Sequence, residues 1–181
     1  TSFEEFKYFK NCTSLEASAF DGCSALNALS FPSSITSIGS SACRNVPAPM
    51  VLNLPNLRTI GTAAFYGSGL TEIKDLGKVS VIGTTGAVVS ASQGAFANCN
   101  ALTKVHIPSS VTHIGGMSFI GCDALTSVSG CEGVTHIVRQ QAFDRCSALV
   151  GELILPSIKV VDQYSFRTCG LTKVDLGADA T

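Results

Sequence analysis

Apolar positions recur along this chain with one long period. Between residues 101 and 125 they fall at Leu102, Val105, Ile107, Val111, Ile114, Phe119 and Leu125. One position marks the period, and its copies are Phe20, Cys43, Phe65, Phe96, Phe119, Phe143 and Phe166. Successive copies are 23, 22, 31, 23, 24 and 23 residues apart. Self-similarity at a period of this length is typical of repeat proteins, in which each repeat forms one coil of a stack.

The first half of each repeat predicts a short β-strand. Val105 and Ile107 are two residues apart, so their side chains point to the same face, which we take to be the interior. Lys104 and His106 then point outward. Pro108 follows directly and ends the strand, because proline cannot donate a ladder hydrogen bond.

The second half of each repeat predicts a return wall and an aromatic interior. Val111 and Ile114 lie along the second wall, Gly115 allows a tight corner, and Phe119 fills the interior. One coil cannot bury these groups alone, but stacked coils share one continuous core. The predicted fold is a right-handed leucine-rich-repeat solenoid of about seven coils, with short parallel strands on a concave sheet and little helix.

The repeat motifs resemble those of BspA-type leucine-rich-repeat proteins. The motifs that carry the resemblance are I-P-S-S-V-T-H-I-G at residues 107–115, F-P-S-S-I-T-S-I-G at 31–39 and Q-A-F-D-R-C at 141–146. The resemblance covers roughly residues 12–176. Members of this family are mainly bacterial surface or secreted proteins, with relatives in some protozoa. The resemblance implies an extracellular or cell-surface location and a role in adhesion or protein binding, with no catalytic residues.

Three segments depart from the regular repeat. Residues 1–11 are predicted to form a cap, with a short helix over residues 3–10, Ser2 as N-cap and Glu5 completing a capping box. An extended cap strand is the alternative. Residues 84–93 lengthen one coil and are predicted to form a surface loop. The solenoid itself spans residues 12–176, and residues 177–181 form a tail.

The eight cysteines follow the repeat rather than a metal-binding pattern. Five of them stand three residues after the position that marks the period: Cys23, Cys99, Cys122, Cys146 and Cys169. Free cysteine behaves as a small buried apolar residue, so these five are expected to be buried free thiols. Coils about 5 Å apart leave disulfides between neighbours as an alternative. No C-x-x-C pair is present, so zinc binding is not expected.

Two histidines are the strongest metal-ligand candidates in the chain. His113 and His136 occupy the same repeat position in adjacent coils, so their rings are expected to stack in one outward column. Such a pair can share a metal or respond to pH. A metal site needs more ligands, however, and the same column reads Ser37, Thr59, Val81 and Val160 elsewhere. The column is therefore predicted to be solvated surface, with no metal and no cofactor.

Composition and motifs exclude several function classes. Charged residues make up 14% of the 181-residue chain and the net charge is −1, so no surface for binding nucleic acid is predicted. No apolar run approaches the roughly 20 residues of a membrane span. The catalytic motifs G-x-S-x-G, H-E-x-x-H and the P-loop are absent from the sequence, so the chain is not expected to be an enzyme. The N-terminus is acidic and lacks Met, so we expect a piece of a longer chain without its signal segment.

The outward face of the first strand is the candidate binding face. Its charged and histidine positions are Glu72, Lys74, Lys104, His106, Glu152, Lys173 and Asp175. The face is mixed in sign and has no aromatic residue, and the chain has no Trp, which argues against sugar binding. The predicted function is non-catalytic adhesion or protein binding at a bacterial cell surface, with a host extracellular-matrix or neighbouring-cell protein as partner. An architectural stalk that spaces another domain is the alternative, and self-association through an open solenoid end is a further expectation.

Overall fold

The computed structural model describes residues 1–86 and 93–177. The predicted solenoid is confirmed: parallel strands stack in about seven turns of roughly 23 residues, with almost no helix. The centre of the predicted loop, residues 87–92, and the tail from residue 178 lie outside the described residues. In chain order the strands are β1 (Ser2–Phe3), β2 (Ser14–Leu15), β3 (Ala28–Leu29), β4 (Ser37–Ile38), β5 (Met50–Asn53), β6 (Thr59–Ile60), β7 (Leu70–Asp75), β8 (Val81–Ile82), β9 (Lys104–His106), β10 (His113–Ile114), β11 (Ser127–Ser129), β12 (His136–Ile137), β13 (Val150–Ile154), β14 (Val160–Val161) and β15 (Gly170–Asp175).

The odd-numbered strands form the first wall of the solenoid. Strands β5, β7, β9 and β11 make one continuous parallel sheet, while within the described residues β1 pairs only with β3 and β13 only with β15. The predicted alternation is present, because Leu52, Ile73 and Val105 are buried between exposed or half-buried neighbours. The ladder is thus interrupted twice, between β3 and β5 and between β11 and β13.

The even-numbered strands form the second wall, where each strand has two residues. They divide into a β2-β4-β6 sheet and a β8-β10-β12-β14 sheet, both parallel. The second residue of most of these strands faces the core, and Ile38, Ile82, Ile114 and Ile137 are buried there. The apolar groups that the sequence places on a return wall therefore also belong to a hydrogen-bonded ladder.

The third wall consists of tight turns around the aromatic residue that marks each repeat. The rings of Phe65, Phe96, Phe119, Phe143 and Phe166 form a continuous stack. Adjacent ring centroids are 5.1–5.6 Å apart and the ring planes differ by 7–12°. Phe119 has no exposed surface. The predicted aromatic interior is therefore confirmed.

Backbone amides of the third wall bind each coil to the next. The amides of Met117, Phe119 and Gly121 donate to carbonyls of the following coil at 3.1, 2.8 and 2.8 Å. The intervening amides close turns inside their own coil, as Ile120 does to Met117 at 3.2 Å. Met117 and Gly121 have positive φ angles of 58° and 67°, which allow this alternation. All three amides that leave the coil therefore point the same way along the solenoid axis.

The cysteine column fills the space beside the phenylalanine stack. The thiols of Cys99, Cys122 and Cys146 donate to phenylalanine carbonyls of the preceding coil at 3.0, 3.2 and 3.2 Å. All eight cysteines lie within the described residues and are free thiols. The prediction that the whole column is buried is wrong for its two ends, because Cys23 is exposed and Cys169 half-buried. Each of these coils has a neighbour on one side only among the described residues.

The N-terminal segment differs from the predicted capped helix. Glu4–Tyr8 form a 3₁₀ helix, and its N-cap residue is Phe3, with no side-chain hydrogen bond to the helix. Ser2 is therefore not the N-cap but part of β1, where it pairs with Ala28. Phe6 is buried and its ring stacks on Phe3 at 5.2 Å. The helical spacing of the phenylalanines therefore corresponds to one short 3₁₀ helix, which packs at the N-terminal end of the solenoid.

Candidate binding face

The first wall presents all seven predicted binding residues on its strands. Glu72 and Lys74 lie on β7, Lys104 and His106 on β9, Glu152 on β13, and Lys173 and Asp175 on β15. Each side chain is exposed or half-buried. They do not form one cluster, however, since the serine-bearing strand β11 and the sheet break beside it separate the β7-β9 residues from the β13-β15 residues.

The β7-β9 group is an open patch of mixed charge. Glu72 and Lys104 are register partners on adjacent strands, and the Lys74 ammonium lies 3.6 Å from the Glu72 carboxylate. The His106 ring lies against the backbone of Gly130, where a Cβ would collide with it, and His106 Nδ1 is 3.3 Å from the Ser129 hydroxyl. Exposed ion pairs of this kind contribute only about 0–1 kcal/mol to stability, so the charges remain available to a partner.

In the β13-β15 group, two carboxylates share one ammonium group. Lys173 donates to Glu152 at 2.5 Å and to Asp175 at 3.0 Å. Its hydrogen bonds with Glu152 and then Asp175 raise the pKa of Lys173 above its ordinary value. The backbone amide of Gly177, followed by Lys173, lowers the pKa of Asp175. These contacts favour the charged forms of Lys173 and Asp175 within one acid-base-acid cluster across two strands.

Both interruptions of the first-wall sheet open into clefts. A cleft of about 300 Å³ between β11 and β13 is lined by Val128, Glu132, Glu152 and Ile154 among others. A cleft of about 450 Å³ between β3 and β5 is lined by Phe31, Val51, Lys7 and neighbouring residues. The regular columns read from the sequence predict neither cleft, because a repeat pattern implies an unbroken ladder.

The structure adds apolar side chains to the candidate face. Val51, Val150 and Ile154 are 43, 61 and 59% exposed. The sequence signal for Val51 and Ile154 was their outward strand position, where other coils carry polar residues. A register shift between β5 and β7 pairs Asn53 with Asp75 and not with Lys74.

Neither a metal-ligand cluster nor a membrane-spanning helix occurs among the described residues. Among the described residues, no three His, Cys, Asp or Glu side chains are close enough together to hold a metal ion. Across residues 1–86 and 93–177, none of the helices has the length and apolar character needed to cross a membrane.

The stacked walls and in-register columns define a leucine-rich-repeat solenoid. The family model for the BspA type leucine rich repeat region (6 copies) matches residues 1–86 and 85–181, and the chain belongs to this family. No curated protein matches the chain.

Two solved bacterial structures are similar to the chain. One is a leucine rich cell surface protein from Faecalibacterium prausnitzii A2-165, at 20% identity and a TM-score of 0.41; the match covers 96% of this chain and 62% of that one. The other is a leucine-rich repeat protein from Bacteroides ovatus ATCC 8483, at 17% identity and a TM-score of 0.41, covering 99% of this chain and 71% of that one. The chain thus spans less than two thirds of the first structure's length.

Proposed function

We propose that the chain is a non-catalytic protein-binding module of a bacterial cell-surface or secreted protein, and that the outward face of the first wall contacts the partner. One observation carries the proposal: the continuous β5-β7-β9-β11 sheet displays its outward side chains in register between two clefts. Rigid strands hold a binding surface more accurately than loops do. Membership in the BspA-type family supports the surface location, because the family resemblance implies a surface or secreted protein.

The chemistry of the face favours a protein partner. The centre of the face carries charged side chains of both signs among polar ones. Its two clefts expose the apolar side chains of Val51 and Ile154. Protein interfaces combine apolar contacts with a polar surround in the same way. An extended segment or a flat protein surface can lie across the sheet and place side chains in the clefts.

Binding to immobilised extracellular-matrix proteins, measured by biolayer interferometry, tests the proposal. The face variant reverses two charges, Lys74→Glu with Lys104→Glu, and the control reverses two exposed charges near the second wall, Arg58→Glu with Lys159→Glu. We expect the wild-type chain to bind at least one matrix protein, the face variant to bind at least 10-fold more weakly, and the control to bind as the wild type does. Equal losses in both double variants would assign the effect to net charge and reject the face.

The architectural stalk predicts a different result in the same experiment. A spacer needs no partner, so neither the wild-type chain nor any variant would bind, while the circular dichroism spectrum would still show a folded β-protein. That outcome across a panel of matrix proteins would replace the binding module with the stalk.

A further inference from the structure

The two second-wall histidines form a stacked pair on the surface away from the candidate binding face. His113 on β10 pairs in register with His136 on β12. Their ring centroids are 4.5 Å apart and the ring planes differ by 2°. Both residues are half-buried. The column continues as Val81 on one side and Val160 on the other, so the two imidazoles are an isolated pair between apolar residues.

A threonine hydroxyl lies within hydrogen-bond distance of Nδ1 in each ring. The Thr112 hydroxyl donates to the carbonyl of Ser80 at 3.3 Å, and the Thr135 hydroxyl donates to the carbonyl of Thr112 at 3.1 Å. Each hydroxyl has one proton, so when that proton goes to the carbonyl, the hydroxyl oxygen accepts from the adjacent histidine. The contacts are 2.9 Å from Thr112 to His113 Nδ1 and 2.8 Å from Thr135 to His136 Nδ1.

With both threonines donating to the carbonyls, each ring holds its proton on Nδ1 and its lone pair on Nε2. This is the arrangement of metal-binding histidines, where the second ring nitrogen donates to a neighbouring oxygen that orients the ring and raises its basicity. Because the rings are parallel and in register, the two Nε2 lone pairs lie side by side. Thr112 and Thr135 lie one coil apart and make the same contacts, so they orient the two imidazole rings in the same way.

We propose that His113 and His136 form a two-imidazole site for a divalent cation of the Ni²⁺, Cu²⁺ or Zn²⁺ class. Imidazole nitrogen suits these ions. Metal–nitrogen bonds of about 2.0–2.1 Å bring two nitrogens to roughly 2.9 Å at a right angle or roughly 3.3 Å at a tetrahedral angle, so the two rings tilt toward each other on binding. No third side chain of the described residues joins the pair, and water completes the coordination shell. The expected affinity is that of two imidazoles, far below that of a closed structural site.

Titration with Ni²⁺ by isothermal calorimetry at neutral pH tests the site. All variants carry Cys23→Ser, because Cys23 is the exposed cysteine of the described chain and its thiol competes for metal. We expect one Ni²⁺ per chain, at least a 10-fold loss of affinity in His113→Asn and in His136→Asn, and no change in the control His106→Asn. Thr135→Val keeps the side-chain shape but removes the acceptor for His136 Nδ1, and we expect about a 10-fold loss from it.

A second measurement uses only the wild-type chain, so it does not depend on whether a variant folds. Long-range ¹H–¹⁵N spectra of the wild-type chain are expected to show the Nδ1–H tautomer for both rings, and Ni²⁺ is expected to broaden both histidines together before His106. Equal affinity in the wild type and both single histidine variants would overturn the proposal, since each ring would then act alone. An Nε2–H tautomer in either ring would overturn it too.

Discussion

At the scale of single residues, Asp144 shows how a buried charge links two coils. Its carboxylate is fully buried in the third wall, and Arg167 of the next coil donates to it at 3.1 and 2.6 Å. The Thr168 hydroxyl adds a bond of 3.1 Å. Burial alone raises the pKa of Asp144, but the hydrogen bonds from Arg167 and Thr168 outweigh it and hold the pKa below its ordinary value.

Arg167→Ala should destabilise the chain by about 2–3 kcal/mol at neutral pH, because it leaves the Asp144 carboxylate buried without its partner. The estimate is at the low end for a broken buried pair, since the Arg167 side chain is 44% exposed. The pKa of Asp144 is lowered on folding, so its contribution is present above its ordinary value of 3.8 and is lost as pH falls below it. Urea midpoints should therefore differ most between variant and wild type above pH 5 and converge below pH 4. Arg145→Ala is the control, and a constant difference across pH would contradict the role of the charge.

Alanine substitutions at two glycines distinguish the cost of backbone strain from the cost of a steric collision. Gly22 and Gly121 share the left-handed conformation, with φ of 69° and 67°. A Cβ on Gly22 meets nothing within 4 Å, whereas a Cβ on Gly121 collides with the Asn98 side chain, which donates to the Tyr66 hydroxyl at 3.1 Å. We expect Gly22→Ala to cost roughly 1 kcal/mol and Gly121→Ala at least about 2 kcal/mol. Equal urea midpoints for the two variants would show that the collision is relieved without cost.

At the scale of structural elements, the phenylalanine stack predicts unequal effects along its length. Phe119 is fully buried between Phe96 and Phe143, whereas Phe166 is half-buried and stacks on Phe143 alone. Phe119→Ala should cost about 3–5 kcal/mol through the cavity it leaves, and Phe166→Ala about half as much. Chemical denaturation of both variants measures the difference. If Phe166→Ala proved the more damaging, the terminal coil rather than the central stack would control stability.

The cysteine column predicts a graded reaction with thiol reagents. Burial raises the pKa of Cys99 and of Cys131 to about 12, so neither forms the reactive thiolate near neutral pH. Under native conditions Ellman's reagent should label Cys23 rapidly and the half-buried Cys12 and Cys169 slowly. In denaturant without reductant all eight should react. Cys23→Ser removes the fast phase, and fewer than eight labelled thiols in denaturant would demonstrate disulfides.

The elements that sequence could predict are those encoded once per coil. Phe119 and Ile114 recur at fixed spacing, and each has one possible place in a stacked coil, so the walls and the stack follow from the pattern. The strand at Ser2–Phe3 is only the alternative expectation for the cap, because these two residues lie outside the repeat and carry no alternation of their own. The exposure of Cys23 depends on having no earlier coil beside it, and a periodic pattern gives terminal and central copies the same environment.

The sequence predicts which residues point outward on the candidate face, but not which of them lie close together. Outward positions such as Lys104 and Glu152 follow from strand alternation, and both lie on the first-wall strands. Their separation depends on the break in the ladder between β11 and β13. A one-dimensional pattern does not contain the packing that decides where such a break occurs.

At the scale of the whole molecule, stability should be highest in the central coils. A stacked array is held by contacts between neighbours, so coils with two neighbours open less often than those with one. Hydrogen exchange should protect the amides of Phe96 and Phe119 most and those of Ser18 and Phe20 least, although all four donate to the next coil. Uniform protection along the third wall would mean that the solenoid opens as a single unit.

The third-wall amides that donate to the next coil all point in one direction along the axis. They therefore give the solenoid an electric dipole. A peptide unit has a dipole of about 3.5 D, and aligned units add together, as they do in an α-helix. In the two strand walls the peptide dipoles alternate and largely cancel. In the third wall the amides of Ser41, Cys43 and Asn45 point toward the next coil, as their counterparts at Met117, Phe119 and Gly121 do. The molecule therefore carries an axial dipole along one edge, with its positive pole toward the C-terminal coils, opposite to the sense of an α-helix.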